Sequence, residues 1–149
     1  MARDRSPKDA ERLALSTYIR LLRTANLARN YASHHLGDSG LTLTQFGVLE
    51  AIYHLGPMSL SDIAQKILTT GGNLTMVVGN LEKSGLAERH RSPQDKRVLI
   101  VALTSKGRKL MRGLFPQHAR AIVSLMAALD DKEQQHLREL LRRLAKRTP

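Results

Sequence analysis

The chain has 149 residues, of which 42% are hydrophobic and 25% charged, a composition typical of one globular domain. Cysteine is absent, which excludes disulfides, thiolate metal sites and a thiol-based oxidation sensor. No stretch approaches the ~20 apolar residues of a membrane span, and the first residues lack a secretory apolar region, so we expect a cytoplasmic protein with no membrane partner.

The positive charge is concentrated in one part of the chain. The formal net charge is +11, a value typical of proteins that bind a polyanion. Residues 41–86 carry two basic and three acidic side chains, whereas residues 87–112 carry eight basic and two acidic ones. Only 3% of the residues are aromatic, which argues against binding of single-stranded nucleic acid by base stacking. The excess of cations therefore lies in one short stretch and towards the two ends of the chain.

Helical periodicity predicts two helices in the first part of the chain. Residues 8–35 contain no glycine and carry apolar side chains at helical spacing, and the glycine-containing segment 37–40 ends this first helix. Thr42 and Gln45 match a capping box, which places the start of a second helix at Thr42. The apolar face of the second helix consists of Phe46, Leu49, Ile52 and Tyr53.

Two further short helices form a predicted helix-turn-helix. Ser59 is placed to cap the first of them, with Asp62 three residues later. The second follows a glycine-containing turn and ends at Gly85, which suits a left-handed C-cap. Their apolar stripes are Leu60, Ile63, Ala64 and Ile67 in the first helix, and Leu74, Val77, Val78 and Leu81 in the second. Two short helices joined in this way are the signature of a helix-turn-helix.

The period then changes from that of a helix to that of strands. Residues 87–90 and 98–103 are predicted strands, and the polar segment 91–97 between them is a turn with several basic side chains. A β-hairpin that follows a helix-turn-helix is a wing.

The long helices at the two ends carry apolar stripes longer than the core of a small winged helix can cover. Thr104 can cap the first C-terminal helix, and Asp130 with Glu133 matches the capping box of the last one. An uncovered stripe of this length would be a large exposed apolar patch, which monomers avoid. We therefore expect a homodimer in which residues 8–36 and 105–147 pack against a second copy.

The predicted fold class is mainly α with a small β-hairpin wing. In this prediction residues 1–149 form a single domain, and residues 42–104 form its winged helix-turn-helix lobe. The long N- and C-terminal helices serve dimerisation.

The outward face of the second helix of the helix-turn-helix is the predicted reader of DNA. Asn hydrogen-bonds adenine in the major groove, and Thr offers a hydroxyl and a methyl group for thymine. Backbone amides at a helix N-terminus suit phosphate, and Arg on a hairpin tip suits the narrow minor groove of A·T stretches. The candidate DNA-binding residues are Ser59, Thr69, Thr70, Gly71, Gly72, Asn73, Thr75, Met76, Asn80, Lys83, Arg89, Arg91, Ser92, Asp95, Lys96 and Arg97.

Several of these candidates have a purely structural alternative. Thr69 and Thr70 can be capping residues only, and Gly71 and Gly72 can simply form the turn. The basic hairpin tip can be a solvated charged loop. The succession of a helix-turn-helix and a basic hairpin favours DNA binding over these alternatives. In that case we expect Asp95 to orient a neighbouring Arg or to terminate the turn, and not to act as an acid.

The order of these parts resembles the MarR family of bacterial regulators, whose members are mostly repressors. Three pieces of sequence carry the resemblance. They are residues 60–64, residues 80–86, and residues 95–97 together with 103–107, which resemble the family's D-x-R…L-T-x-x-G wing signature.

The resemblance implies how the chain meets DNA. It implies a pseudo-palindromic double-stranded operator, with Arg97 of each wing in a minor groove and residues 73–83 of each subunit in a major groove. Met76 stands where many relatives carry Arg or another polar base reader. Base contacts are therefore expected from Asn73, Thr75 and flanking groups.

Family members often bind small aromatic or phenolic effectors between the dimer helices and the DNA-binding lobe. By that analogy the candidates for an effector pocket are His34, His35, Phe46, Tyr53, His54, Phe115 and His118. Phe46, Tyr53 and Phe115 also lie on predicted core stripes, so a core role is their structural alternative. We predict no metal and no cofactor, because the adjacent His34 and His35 do not share a helix face.

Two other classes of function compete with a DNA-binding regulator. A winged helix can be an interaction module that binds protein or structured RNA, and arginine-rich termini are compatible with that alternative. An enzyme is disfavoured, because no nucleophile triad, pair of facing carboxylates, phosphate loop or metal-ligand spacing stands out. The sequence therefore predicts a transcriptional regulator without catalytic activity, in its simplest form a repressor that a small ligand releases from DNA.

Overall fold

The computed structural model describes residues 6–67 and 71–146. The elements in chain order are α1 (Pro7–His34), a short 3-10 turn (Gly37–Ser39), α2 (Leu43–Leu55), β1 (Met58–Ser59), α3 (Leu60–Ile67), α4 (Gly71–Lys83), β2 (Ala87–Arg91), β3 (Leu99–Leu103), α5 (Ser105–Met126) and α6 (Asp131–Ala145). The predicted fold class is confirmed, because a mainly helical chain carries a small β-sheet after the helix-turn-helix.

Both predicted capping boxes are formed. At the start of α2, the Thr42 hydroxyl accepts a hydrogen bond from the Gln45 amide at 3.2 Å, and the Thr42 amide donates to the Gln45 side chain at 2.9 Å. Asp130 and Glu133 exchange the same two bonds at the start of α6, both at 2.9 Å. Each box satisfies two backbone groups that a helix N-terminus leaves open, and so fixes where the helix begins.

The sheet has three strands, whereas the sequence predicted a two-stranded hairpin alone. Strand β3 lies in the centre, with β2 and β1 antiparallel on its two sides. Strand β1 contains only Met58 and Ser59, which pair with Val101 and Ile100. Two residues are too few to show a strand periodicity, and their pairing depends on a strand some forty residues away. The wing is therefore attached to the helical lobe by backbone hydrogen bonds as well as by packing.

Gly71 is the first residue of helix α4, so the Gly71–Gly72 pair lies at a helix N-terminus, and the alternative that these glycines only form the linking turn is not needed. The C-terminus of α4 agrees with the prediction. Gly85 has a φ of +71°, and the amides of Leu86 and Gly85 donate to the carbonyls of Leu81 and Glu82 at 2.9 and 2.8 Å. These two bonds form a Schellman motif, which needs the left-handed backbone that glycine adopts at little cost.

The start of α5 is fastened to the end of α4. The Thr104 hydroxyl accepts from the Gly107 amide at 3.0 Å and donates to the Gly85 carbonyl at 2.6 Å. The Thr104 amide donates to the Leu86 carbonyl at 3.2 Å. A Cβ added at Gly107 would collide with that Leu86 carbonyl oxygen and would lie 2.9 Å from its carbon. The L-T-x-x-G segment is therefore a close backbone junction in which glycine is required for space.

The buried core lies in the winged helix-turn-helix lobe. Its fully buried large side chains include Phe46, Leu49, Ile52, Ile63, Leu74, Leu81, Val101 and Met111. The start of α5 contributes Met111 and Leu114 to this core. Helices α1 and α6 are different, because most of their apolar side chains are exposed in the single chain. Tyr18 of α1 is 57% exposed, and Leu144 of α6 is 53% exposed. The apolar stripes predicted for α1 and α6 are thus uncovered within one copy.

The junction predicts a stability effect at Gly107. We expect Gly107→Ala to lower the free energy of unfolding by about 1–3 kcal/mol, since overpacking against rigid backbone typically costs that much. The measurement is urea denaturation of variant and parent at equal protein concentration.

Gly113→Ala is the matched control on the same helix. No atom lies within 4 Å of a Cβ added there, so the higher helix propensity of Ala should leave the stability unchanged or raise it by up to about 1 kcal/mol. A Gly107→Ala variant as stable as the parent would contradict this account of the junction.

Candidate nucleic-acid interface

The outward face of α4 carries polar side chains on an apolar base. Leu74, Val77, Val78 and Leu81 are buried, as the stripe predicted. The opposite face exposes Asn73, Thr75, Met76, Asn80 and Lys83. Because the inward residues fix the rotation of the helix, this face is held outward by core packing. Met76 is 63% exposed in the middle of that face.

The tip of the wing is ordered by its own hydrogen bonds. The Ser92 amide donates to the Val98 carbonyl at 2.9 Å, and the buried Ser92 hydroxyl accepts from the Gln94 amide at 3.2 Å. The Arg91 guanidinium donates to the Lys96 carbonyl at 2.6 Å across the tip. Ser92 and Arg91 thus stabilise the turn through bonds within the wing. Contacts with DNA are then expected from the other side chains of the tip.

Lys96 and Arg97 are both exposed at the tip of the wing. The Arg97 side chain is 94% exposed, and its Nε lies 3.5 Å from Asp95 Oδ1. The same Asp95 oxygen accepts a hydrogen bond from the Arg97 amide at 2.9 Å. The carboxylate therefore orients the arginine, as the sequence predicted, and an exposed ion pair of this kind adds little to stability.

Arg89 has a different place from the other basic residues of the wing. Its guanidinium lies 2.6 Å from the Glu82 carboxylate near the end of α4, and both side chains are mostly buried. This ion pair joins the base of the wing to the outward helix. Glu82 was not among the predicted site residues, because the two partners lie on different elements and no local sequence pattern links them.

Three further candidate DNA-binding residues are not found on an exposed surface of the described structure. Ser59 is buried, and its hydroxyl accepts from the Asp62 amide at 3.1 Å and donates to the Asp62 carboxylate at 2.7 Å, which makes it the cap of α3. Its hydroxyl is thereby used inside the protein. Thr69 and Thr70 fall outside the described residues.

Six of the seven effector candidates form two ring clusters. In the first, His35 Nε2 and His118 Nδ1 lie 3.0 Å apart, and the ring centroid of His118 lies 4.5 Å from that of Phe46. In the second, the ring of His54 lies 4.4 Å from Phe115 and 5.1 Å from Tyr53. His34 is exposed and makes no ring contact within the described part of the chain. The clusters join α1, α2 and α5.

Burial changes the acid–base properties of the first cluster. Burial lowers the pKa of His118, and it lowers the pKa of His35 together with repulsion from His118 and His34. The Nδ1 atom of His35 is buried without a hydrogen-bond partner among the described residues. These rings are therefore neutral near pH 7 and offer a proton donor and an acceptor in an apolar setting.

A cavity of about 760 Å³ lies between the ring clusters and the outward helix. Phe46, His54 and His118 line it, and so does Asn73 from the face of α4. Its charged wall consists of Arg29, Glu50 and Lys66. Burial raises the pKa of Glu50, while the nearby His54 works in the opposite direction. The cavity thus connects the predicted effector residues with a predicted DNA-reading residue, a link that no sequence pattern revealed.

The described residues contain neither a metal-binding cluster nor a membrane-spanning helix. Within residues 6–67 and 71–146, no three His, Asp or Glu side chains are grouped to hold a metal ion. In the same residues, no helix combines the length and the apolar content that a membrane crossing needs.

Comparisons with known proteins agree with this architecture. The family model described as MarR family matches residues 39–98. The chain is 36% identical over 131 residues to the helix-turn-helix-type transcriptional regulator MhqR of Bacillus subtilis, an alignment that covers 88% of this chain and 90% of MhqR.

Two solved structures show the same fold in a functional context. BpsR of Bordetella bronchiseptica, described with a mechanism for regulation of its DNA binding by 6-hydroxynicotinic acid, superposes with a TM-score of 0.78 at 26% identity over 86% of this chain and 91% of that one. AbfR bound to DNA superposes with a TM-score of 0.76 at 27% identity over 95% and 98% of the two chains. By its sequence relatives, its wing signature and its architecture, the chain belongs to the MarR family of transcriptional regulators.

Proposed function

We propose that the protein is a homodimeric regulator that binds a pseudo-palindromic double-stranded operator. The observation that carries the proposal is the pairing of two outward elements, the polar face of α4 and the arginine-tipped wing, through the Glu82–Arg89 ion pair. In this proposal α4 enters the major groove, where its Asn and Thr side chains meet base edges, and Arg97 enters the adjacent minor groove. Arg89 positions the wing and does not itself contact DNA.

A second copy of the chain is the proposed cover for the exposed stripes of α1 and α6. The exposed apolar residues of α6 recur at helical spacing: Leu137, Leu140, Leu141 and Leu144. A symmetric dimer buries such a stripe on both copies at once. Its two α4 helices are then expected about 34–36 Å apart or at a multiple of that spacing, which matches successive turns of DNA.

Binding is proposed as the whole activity of this protein, without catalysis. The relatives that share most of its length are transcriptional regulators. The competing reading, a winged helix that binds protein or structured RNA, shares the basic surface but predicts no preference for a duplex sequence. The proposed partner implies the compartment that holds the DNA, which is the cytoplasm in a bacterium.

Selection of bound duplexes from a random DNA library tests this proposal directly. We expect an enriched palindrome, because two identical heads read two inverted half-sites. Sedimentation of the free protein should show a dimer. A monomer would contradict the proposal. Equal recovery of all duplexes, with an affinity that depends only on the salt concentration, would also contradict it and would favour a winged helix that binds protein or structured RNA.

The wing makes a specific prediction at Arg97. We expect Arg97→Ala to weaken operator binding by roughly ten- to a hundredfold while the dimer stays intact, since a groove contact of an arginine is worth about 1–3 kcal/mol. The measurement is fluorescence anisotropy at fixed salt. Lys132→Ala, which removes one cation from the start of α6, is the matched control and should change affinity much less. Equal affinities of Arg97→Ala and parent would remove the wing from the mechanism.

We further propose that the cavity holds a small hydroxylated aromatic effector that releases the protein from DNA. The rings of Phe46, His54 and His118 offer an apolar and hydrogen-bonding surface for such a molecule. Asn73 lines the same space, so an occupant contacts a DNA-reading residue directly. A ligand that binds more tightly when α4 is rotated or shifted lowers the affinity for DNA. The decrease is limited by the difference between the ligand's affinities for the two positions of α4.

The effector proposal is tested by adding hydroxylated aromatic acids, beginning with 6-hydroxynicotinic acid, to the protein–operator complex. At least one compound is expected to release the DNA from the parent protein. His118→Ala should bind DNA normally and need at least about tenfold more compound, since a lost hydrogen bond to a charged ligand is worth about 1.5–3 kcal/mol. His136→Ala on α6 is the control and should respond like the parent. Release that is the same in all three proteins would place the ligand elsewhere.

The histidine pair also predicts a pH dependence of stability. The pKa values of His35 and His118 are lowered in the folded chain, so below the ordinary value of about 6.5 the unfolded chain binds more protons than the folded one. The free energy of unfolding should therefore decrease as the pH falls from about 7.5 to about 5, and the decrease should be smaller in His118→Gln. His136→Gln should keep the parental decrease. An identical pH profile in His118→Gln and parent would contradict the assignment.

A further inference from the structure

Met76 is an apolar side chain on a polar surface. Among the described residues of α4 it is the only large apolar one that is exposed, at 63%. A single exposed Met is common on protein surfaces and needs no explanation by itself. Its position is what distinguishes it, because it occupies the middle of the face that is proposed to enter the major groove.

The neighbours of Met76 on the helix surface leave it room to meet a base. Asn73 precedes it by three positions and Asn80 follows it by four, so all three side chains share one strip of α4. Gly79, three positions later, has no side chain, and no atom lies within 4 Å of where its Cβ would be. The thioether is thus flanked by two amides along the strip and by open space at Gly79.

The chemistry of the major groove then narrows what Met76 can recognise. A thioether has no hydrogen to donate and is a weak acceptor, so it gains little from the polar edges of guanine, adenine or cytosine. Thymine presents a 5-methyl group there, which an apolar and flexible side chain can cover. The flanking amides suit adenine, so the strip combines adenine readers with an apolar contact.

We infer that Met76 is a specificity-determining residue that recognises a thymine in each half-site through its 5-methyl group. The inference rests on the proposed function and deepens it, since it assigns a base preference to one position of the operator. It adds a specific base contact to those expected from Asn73, Thr75 and flanking groups.

Replacement of thymine by deoxyuridine in the selected operator tests the inference, because it removes only the methyl group. Each symmetric pair of thymines is replaced in turn, and binding is measured by fluorescence anisotropy. At the pair of thymines that Met76 contacts, replacement by deoxyuridine should weaken DNA binding by the parent protein by about fourfold for each half-site. This factor corresponds to the free energy of burying one methyl group. In Met76→Ala, thymine and deoxyuridine at that pair should be bound equally.

Thr75→Ser is the matched control, because it deletes the other methyl group on this face and keeps the hydroxyl. It should retain the parental loss on deoxyuridine replacement at the Met76 position. Loss of the effect in Thr75→Ser and its persistence in Met76→Ala would overturn the inference and assign the methyl contact to Thr75. Since Met76 is exposed, its variant should unfold at the same urea concentration as the parent.

The outcomes separate this inference from the proposal on which it rests. If no duplex is enriched in the selection, the proposed function itself fails. If an operator is enriched and bound, but no thymine pair responds to deoxyuridine, DNA recognition stands and only the assignment of Met76 is overturned.

Discussion

The arrangement of the functional elements depends on one backbone junction, where the end of α4, the start of the wing and the start of α5 meet. Thr104 bonds to the Gly85 and Leu86 carbonyls, and Gly107 allows the backbone of α5 to lie against Leu86 without a clash. Backbone contacts of this kind do not adjust by side-chain rotation. The C-terminal end of the outward helix, the wing and the long helix are therefore held together at this point by backbone contacts.

In the proposed mechanism, the cavity beside the ring clusters gives a short route between ligand and DNA. His118 lies on α5, and its ring packs against Phe46 of α2. The cavity beside these rings extends to Asn73 on α4, so its occupant and the DNA would both contact that helix. If the proposed effector prefers a position of α4 that differs from the one DNA prefers, each of the two partners weakens binding of the other. A long pathway through the protein is not needed.

The basic residues of the wing illustrate why charge alone is a poor guide to function. All lie in the stretch with the highest positive charge, yet Arg89 pairs with Glu82 and Arg91 bonds to a carbonyl across the tip. The Arg97 side chain, in contrast, is 94% exposed and lies beside Asp95. Arg89 and Arg91 thus contribute to the structure of the wing, and Arg97 is the arginine best placed for a contact with DNA.

The sequence by itself determined the features that local chemistry controls. The capping boxes at Thr42 and Asp130, the left-handed Gly85 and the buried stripe of α4 all depend on residues within a few positions of one another, and each was predicted from spacing alone. Tertiary structure alone decided the pairing of β1 with β3, the Glu82–Arg89 bridge, the approach of His35 to His118 and the cavity beside Asn73. Those contacts join different elements, so their partners are set by how helices and strands pack, which no periodicity encodes.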